Sequence, residues 1–294
     1  MHTQKFSRDA VLKALLDAKY ETRYAQDAVE AAWRNFPEQT APSPAVEATA
    51  ASAQVSAEDA VEPRSMPSLQ AESLSAQLAE SPNSLDTSDR AVEMLFVMTS
   101  PRVVLFGDLL SADECELLIE QSRSKLERSS VVNTSTGAYD IHPHRTSSGT
   151  YFRRGENDLI SRIERRIAEL VDCPVERGEP IQILHYQRGG EYKPHFDYFD
   201  PALPGNHDVL KQGGQRIATL IMYLNDVSAG GSTVFPEIGL DVLPRRGHAV
   251  YFAYCDDENR LDKRTLHGGS PVSGGEKWIA TKWFRQGAYY GPGA

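Results

Sequence analysis

A chain of 294 residues leaves room for one or two domains, and its net charge of -10, with a pI near 5.3, argues against a nucleic-acid binder relying on a broad basic face. Three cysteines, Cys115, Cys173 and Cys255, are too sparse and scattered to suggest a disulfide framework or a cysteine-based zinc site, and they fit a reducing compartment. The polar amino terminus lacks the apolar core of a signal peptide and no run approaches a membrane span, so the expectation is a soluble, cytoplasmic protein with no membrane partner.

Along residues 7–35 the apolar positions Val11, Leu12, Leu15 and Leu16, then Tyr24, Ala25, Val29, Ala32 and Trp33, recur at helical spacing, with Ser7 and Thr22 as caps. This predicts a small helical hairpin within residues 1–37. Residues 38–90 are rich in Ala, Ser, Pro and Glu, hold no aromatic residue and carry nine acidic against two basic side chains. Such a stretch buries too little apolar surface to offset the entropy of ordering it, which predicts a disordered acidic linker. Residues 91–294 are then the folded domain.

Within that domain an apolar run over 102–106 has strand character, and Ser111 with Glu114 forms a capping box opening a helix to about Leu126. A strand near residues 130–133 and a polar loop over 134–149 follow. His142 and His144 in that loop read as an ordinary exposed pair, because a proline separates them. Asn157 caps a second helix over 158–171, whose Ile160, Ile163 and Ile167 share one face. Short strands follow over 180–187, 192–198, 216–226, 232–235, 247–254, 264–267 and 278–284, divided by Gly, Pro and Asp turns. Such a series predicts a mainly β fold, closed or built of two sheets, with flanking helices. A long loop over 200–214 lies next to the strand at 192–198 and is placed to act as a lid.

The chemistry concentrates in the stretch from Tyr186 to Phe199. On an extended strand His195 and Asp197, two apart, point the same way and can grip one ion. His267 is the best third ligand, and two histidines with one carboxylate form the facial triad of non-heme Fe(II) oxygenases. Lys277, ten residues further on, supplies a cation for an organic acid. His185 sits beside Tyr186 on the opposite strand face, and His207 and His248 have no partner at ligand spacing.

The wider pattern Tyr186-x-x-Gly189-x-x-Tyr192-x-x-His195-x-Asp197, then Arg216-x-x-Thr219, Gly230-Gly-x-Thr233-x-Phe-Pro236 and Lys277-Trp-x-Ala-Thr-Lys-Trp283, resembles the prolyl 4-hydroxylases among the Fe(II)/2-oxoglutarate dioxygenases over roughly residues 100–286. The resemblance implies a double-stranded β-helix, or jelly roll, with two helices packed outside it. It implies Fe(II) on His195, Asp197 and His267, 2-oxoglutarate held by Lys277 with Tyr186 and Thr219, O2 as oxidant, and L-ascorbate. Arg145 and Ser147, matching a loop pattern over the active site, with Glu179, Tyr192, Arg216 and Trp283, are the implied contacts of a proline-containing peptide; Arg285 falls where the family varies. A carboxylate at Asp197 favours hydroxylation over halogenation, since halogenating relatives carry a small residue there. The implied reaction is 4-hydroxylation of a prolyl residue, coupled to decarboxylation of 2-oxoglutarate to succinate and CO2. Another target residue or a free amino acid stays open, as do a zinc hydrolase and a catalytically silent β-barrel binding module. The oligomeric state is not set by these motifs.

Overall fold

The computed structural model describes residues 83–132, 139–141, 145–255 and 260–294. The expected hairpin over residues 1–37, the expected linker up to residue 82, and His142 and His144 lie outside the described residues. The last part of that linker is a correction. Strand β1 (Ser84–Asp86) pairs antiparallel with β2 (Ala91–Met98) and buries Leu85, so the domain begins before Ala91.

The chain continues through β3 (Val103–Gly107), helix α1 (Ala112–Arg123), β4 (Glu127–Arg128), β5 (Ser130–Val132), β6 (Tyr139–Ile141) and β7 (Ser148–Phe152). What reads as one polar loop over 134–149 thus contains β6, paired with β5, and the start of β7. Helix α2 (Asp158–Val171), β8 (Ile181–Tyr186), β9 (Tyr192–His195) and a short helix α3 (His207–Leu210) precede β10 (Arg216–Tyr223), β11 (Ala229–Gly230), β12 (Thr233–Phe235) and β13 (Leu240–Val242). The last elements are β14 (Ala249–Ala253), β15 (His267–Gly269), β16 (Val272–Gly274) and β17 (Lys277–Arg285). The strand expected over 264–267 is instead a 3-10 turn, Lys263–Thr265, because the Asp262 side chain accepts from the Arg264 backbone N–H and starts a turn there.

Two antiparallel sheets build the double-stranded β-helix. The major sheet runs β1, β2, β3, β14, β10, β17, β8, β7, β4, and the minor sheet runs β13, β12, β15, β9. Strand alternation divides the core in two. Ala218, Leu220 and Met222 of β10 join Ile160, Ile163 and Ile167 of α2 in one cluster, whereas Ile221, Tyr223, Phe252, Tyr254 and Ile279 join Phe235 and Val242 of the minor sheet in another. The first lies under the helices and the second between the sheets. A bulge between Arg216 and Ala218 breaks the register of β10 on β17. One extra residue moves the next side chain to the opposite face, so Arg216 points between the sheets instead of toward the helices.

Buried Arg166 of α2 ties the helices to the start of the domain. Its guanidinium donates to Glu114 at 2.8 Å, to Asp89 at 2.6 and 2.9 Å and to the Leu109 carbonyl at 2.8 Å. Glu114 also closes the expected capping box with Ser111 and accepts from Arg162 at 3.1 Å. Burial alone would raise its carboxyl, but the Arg166 hydrogen bonds and the Ser111 N–H outweigh that and bring it from 4.5 to about 2. This stabilisation is complete above pH 4.5 and is lost as pH falls toward 2. Glu114→Gln, which leaves Arg166 short of its counter-charge, should cost about 3 kcal/mol at pH 7 in urea denaturation. The gap from the parent chain should narrow at pH 3; a gap independent of pH would contradict the pairing.

Candidate metal centre

The site begins with a strand register. Strands β9 and β15 pair antiparallel with His195 directly opposite His267, so both rings leave the same face of the minor sheet, their centroids 4.5 Å apart. Gly268 permits this closeness, since a Cβ there would lie 2.8 Å from the Tyr192 carbonyl oxygen. Asp197 falls just beyond the end of β9, not within the strand as alternation predicted, yet its carboxylate meets both rings. Oδ1 is 3.4 Å from His195 Nε2 and Oδ2 is 3.4 Å from His267 Nε2. Adjacent ligands on an octahedral ion with bonds of roughly 2.1 Å sit roughly 3 Å apart, so one ion can span the three groups.

Each histidine is held in the metal-binding tautomer in the same way. His195 Nδ1 meets the Lys193 carbonyl at 2.9 Å and His267 Nδ1 meets the Thr265 carbonyl at 3.1 Å. A carbonyl only accepts, so Nδ1 carries the hydrogen and Nε2 keeps its lone pair for a metal. Burial, then the neighbouring His267, lowers the His195 pKa and favours the neutral ring. Burial would raise the Asp197 carboxyl, but the two histidines hold it well below the usual range. The triad is therefore charged and oriented as divalent metal binding requires.

The major sheet supplies what holds Asp197. Thr219 and Trp283 are register partners on β10 and β17, and both donate to Oδ2, at 2.7 and 2.9 Å. Tyr254 adds a third contact to Oδ2 at 3.3 Å and lies against the Thr219 hydroxyl. Thr219, expected on 2-oxoglutarate, is thus turned to the ligand carboxylate, and so is Trp283, expected on the peptide. Tyr254 went unread in the sequence; the inward alternation of Val250, Phe252 and Tyr254 was the available signal.

Lys277 stands across from Tyr186 on β8, its ammonium 5.8 and 5.7 Å from the rings of Tyr186 and Tyr223. It is 4% exposed, and among the described residues no carboxylate or hydrogen-bond acceptor meets it. Burial alone pulls its pKa down to about 7. A buried ammonium without a counter-ion is costly, and a carboxylate from outside the chain relieves that cost. Tyr186 stays a candidate second contact, its pKa raised by burial, with Arg145 and Ser147 beside its hydroxyl. Thr233, named in the sequence only as part of the wider pattern and given no role there, is hydrogen-bonded to Tyr223 at 2.8 Å and lines the same cavity.

A cleft of about 1150 Å³ joins Lys277 and the triad to the surface. Tyr192 stacks on His195 at 3.7 Å, and the Arg145 guanidinium lies 5.1 Å from the same tyrosine ring. Arg145 also donates to Gln182 at 2.9 Å. Glu179 takes both arms of Arg216, at 2.7 and 2.8 Å, and Arg285 at 2.6 Å, while Arg216 lies 4.0 Å over Trp283. Ser147, expected on the peptide, is fully buried and bonded to Ser129 at 3.0 Å. The loop over 200–214 carries α3 and lines the cleft through Leu203, Asn206 and Val209.

The sequence profile of the 2OG-Fe(II) oxygenase superfamily matches residues 181–285. Probable prolyl 4-hydroxylase 3 of Arabidopsis thaliana is 41% identical over 208 residues, covering 64% of this chain and 71% of that protein. Prolyl 4-hydroxylase 5 of the same plant is 41% identical over 215 residues, covering 67% and 72%. Among solved structures, the viral collagen prolyl hydroxylase of Paramecium Bursaria Chlorella virus-1 is similar at 30% identity with a TM-score of 0.48, over 62% of this chain and 95% of that one.

Removing any one ligand, by His195→Ala, Asp197→Ala or His267→Ala, should abolish divalent-metal binding while circular dichroism shows an intact fold. Trp283→Phe and Thr219→Val each remove one donor to Asp197 and should weaken Mn(II) binding by about tenfold in calorimetry. Parental affinity in both would show that Oδ2 does not need these donors.

Proposed function

The chain belongs to the prolyl 4-hydroxylase family of the 2OG-Fe(II) oxygenases and is a 2-oxoglutarate-dependent dioxygenase; on that premise we propose that it hydroxylates prolyl residues, at the 4-position, in a peptide or protein lying in the cleft. The observation that carries the cosubstrate reading is Lys277, a buried cation with no counter-ion among the described residues, in the cavity that also holds the triad. A zinc hydrolase or a silent binding module has no use for such a group. The cleft opens from the triad to the surface, which suits a segment of a polymer. Its aromatic walls suit an extended proline-rich segment.

His195, Asp197 and His267 would hold Fe(II) from one side, with Thr219, Trp283 and Tyr254 keeping Asp197 in place. Lys277 would take the far carboxylate of 2-oxoglutarate by a charge-assisted hydrogen bond, with Tyr186 beside it. When bound, iron and 2-oxoglutarate supply the oxidising chemistry: one O2 is consumed, succinate and CO2 are released, and a C–H of the prolyl ring becomes C–OH. Tyr192, Arg145 and the pair of Arg216 and Glu179 position the peptide. L-Ascorbate, as protector of the ferrous state, and a cytoplasmic location are parts of the same proposal.

Incubation with Fe(II), 2-oxoglutarate, O2 and a proline-repeat peptide should add one oxygen atom to proline for each succinate formed, with NMR placing it on C4; succinate without modified proline would contradict the substrate class. Lys277→Ala should cost about 2 to 5 kcal/mol of 2-oxoglutarate binding. That is a loss of more than tenfold in affinity, with Fe(II) binding little changed. Lys277→Arg should recover part of it, the guanidinium being longer and planar. In the parent chain a lysine of pKa about 7 must take up a proton to pair with the dianion at higher pH. The dissociation constant should therefore rise about tenfold per pH unit above 7, a slope that Lys277→Arg flattens.

A further inference from the structure

The cleft and the chain that carries it differ in charge. The whole molecule is at -10, yet the cleft is lined by seven Lys and Arg side chains against three carboxylates, Glu179, Asp197 and Asp200. Two of these charges are committed by the proposed chemistry, Lys277 to 2-oxoglutarate and Asp197 to iron. Glu179 is matched by Arg216 and exceeded once Arg285 is added, and Lys193 is already paired with Glu191 at 2.9 Å. What remains facing a substrate is a surplus of positive charge. Arg153, just after β7 of the major sheet, and Lys263, just before β15 of the minor sheet, are both exposed along the cleft. Among the described residues no side-chain ion pair holds either of them. Tyr151 and Phe196, also on the cleft, are exposed aromatic surfaces on which a pyrrolidine ring can lie. A low-dielectric groove of one sign focuses its field on what enters, so this geometry selects a proline flanked by carboxylates.

The chain itself carries such a sequence. Residues 38–82 hold five prolines, Pro42, Pro44, Pro63, Pro67 and Pro82, with seven carboxylates and a single cation, Arg64. Glu62 directly precedes Pro63, with Glu58 and Asp59 just before it, and Glu80 is two residues from Pro82. Building on the prolyl hydroxylase reading above, we propose that the cleft takes an acidic, proline-bearing segment as substrate, and that residues 38–82 of a second copy of this chain are one such substrate. Each turnover inserts one atom of O2 into a prolyl C–H bond and the other into succinate, with 2-oxoglutarate as the two-electron reductant and CO2 as the leaving group.

The test uses the full chain with Fe(II), 2-oxoglutarate and O2, followed by digestion and mass spectrometry. The mass of one oxygen atom should appear on at least one proline between residues 38 and 82, at a rate per molecule that rises with protein concentration. A synthetic peptide of residues 56–70 should be hydroxylated about tenfold faster than its counterpart carrying Glu58→Gln, Asp59→Asn and Glu62→Gln, at low salt. That advantage should shrink at high salt, because exposed charges are screened. Arg153→Glu with Lys263→Glu should abolish the preference. Unmodified prolines in residues 38–82, in a preparation that hydroxylates a neutral proline-repeat peptide with matching succinate, would overturn this inference and leave the prolyl hydroxylase reading standing. Equal rates on the acidic and neutralised peptides would overturn the charge argument. No hydroxylation of any peptide would overturn both readings together.

Discussion

A carboxylate buried between two β-sheets is affordable only when other groups replace the water it has lost, and the arrangement of this domain follows from how Asp197 meets that demand. Strands β10, β14 and β17 of the major sheet or its immediate extension send Thr219, Tyr254 and Trp283 to one oxygen, while the minor sheet sets His195 and His267 against the carboxylate as a whole. Neither sheet completes the site alone. The register that places the two histidines opposite each other and the register that places Thr219 beside Trp283 must hold together, and the aromatic core between the sheets maintains both.

Charge is laid out around that centre in a gradient of commitment. At the inner end Lys277 is buried with no counter-ion among the described residues, whereas further out Glu179 already satisfies two arginines. The bulge at the start of β10 makes the second cluster possible, because it moves Arg216 from the helix side of the sheet to the cleft side. Arg216 then links three parts of the site: it grips Glu179, covers the Trp283 indole, and donates to the Asp197 backbone carbonyl at 3.3 Å. Arg216 therefore connects the cleft wall to Asp197 through one side chain. The Arg166 network lies away from the cleft lining and fixes both helices against the wall from which the site is built.

How much of this was legible in the sequence depends on whether a residue's role follows from local spacing. His195, Asp197 and His267, and Lys277 with its ten-residue offset, each stand in a short ordered pattern, and the structure brings the two histidines and the carboxylate to one point. The capping box at Ser111 and the Asn157 cap were readable for the same reason, and both are present. Roles that depend on cross-strand register were not. Thr219 and Trp283 read as cosubstrate and peptide contacts, and only the pairing of β10 with β17 shows both turned to Asp197. Ser147 read as a peptide contact but lies buried against Ser129, a partner 18 residues away. The three-residue strands β1 and β6 are too short to announce a period, so one passed for linker and the other for loop.

The central claim is that one cavity holds ferrous iron on the three ligands and 2-oxoglutarate on Lys277 at the same time. An anaerobic titration of the full chain tests it most directly, adding Fe(II) and then 2-oxoglutarate while the visible metal-to-ligand charge-transfer absorption is followed. The account predicts a band that requires both components, saturates at one of each per chain, and is absent when Zn(II) replaces Fe(II). Fe(II) binding with no band at saturating 2-oxoglutarate would contradict it.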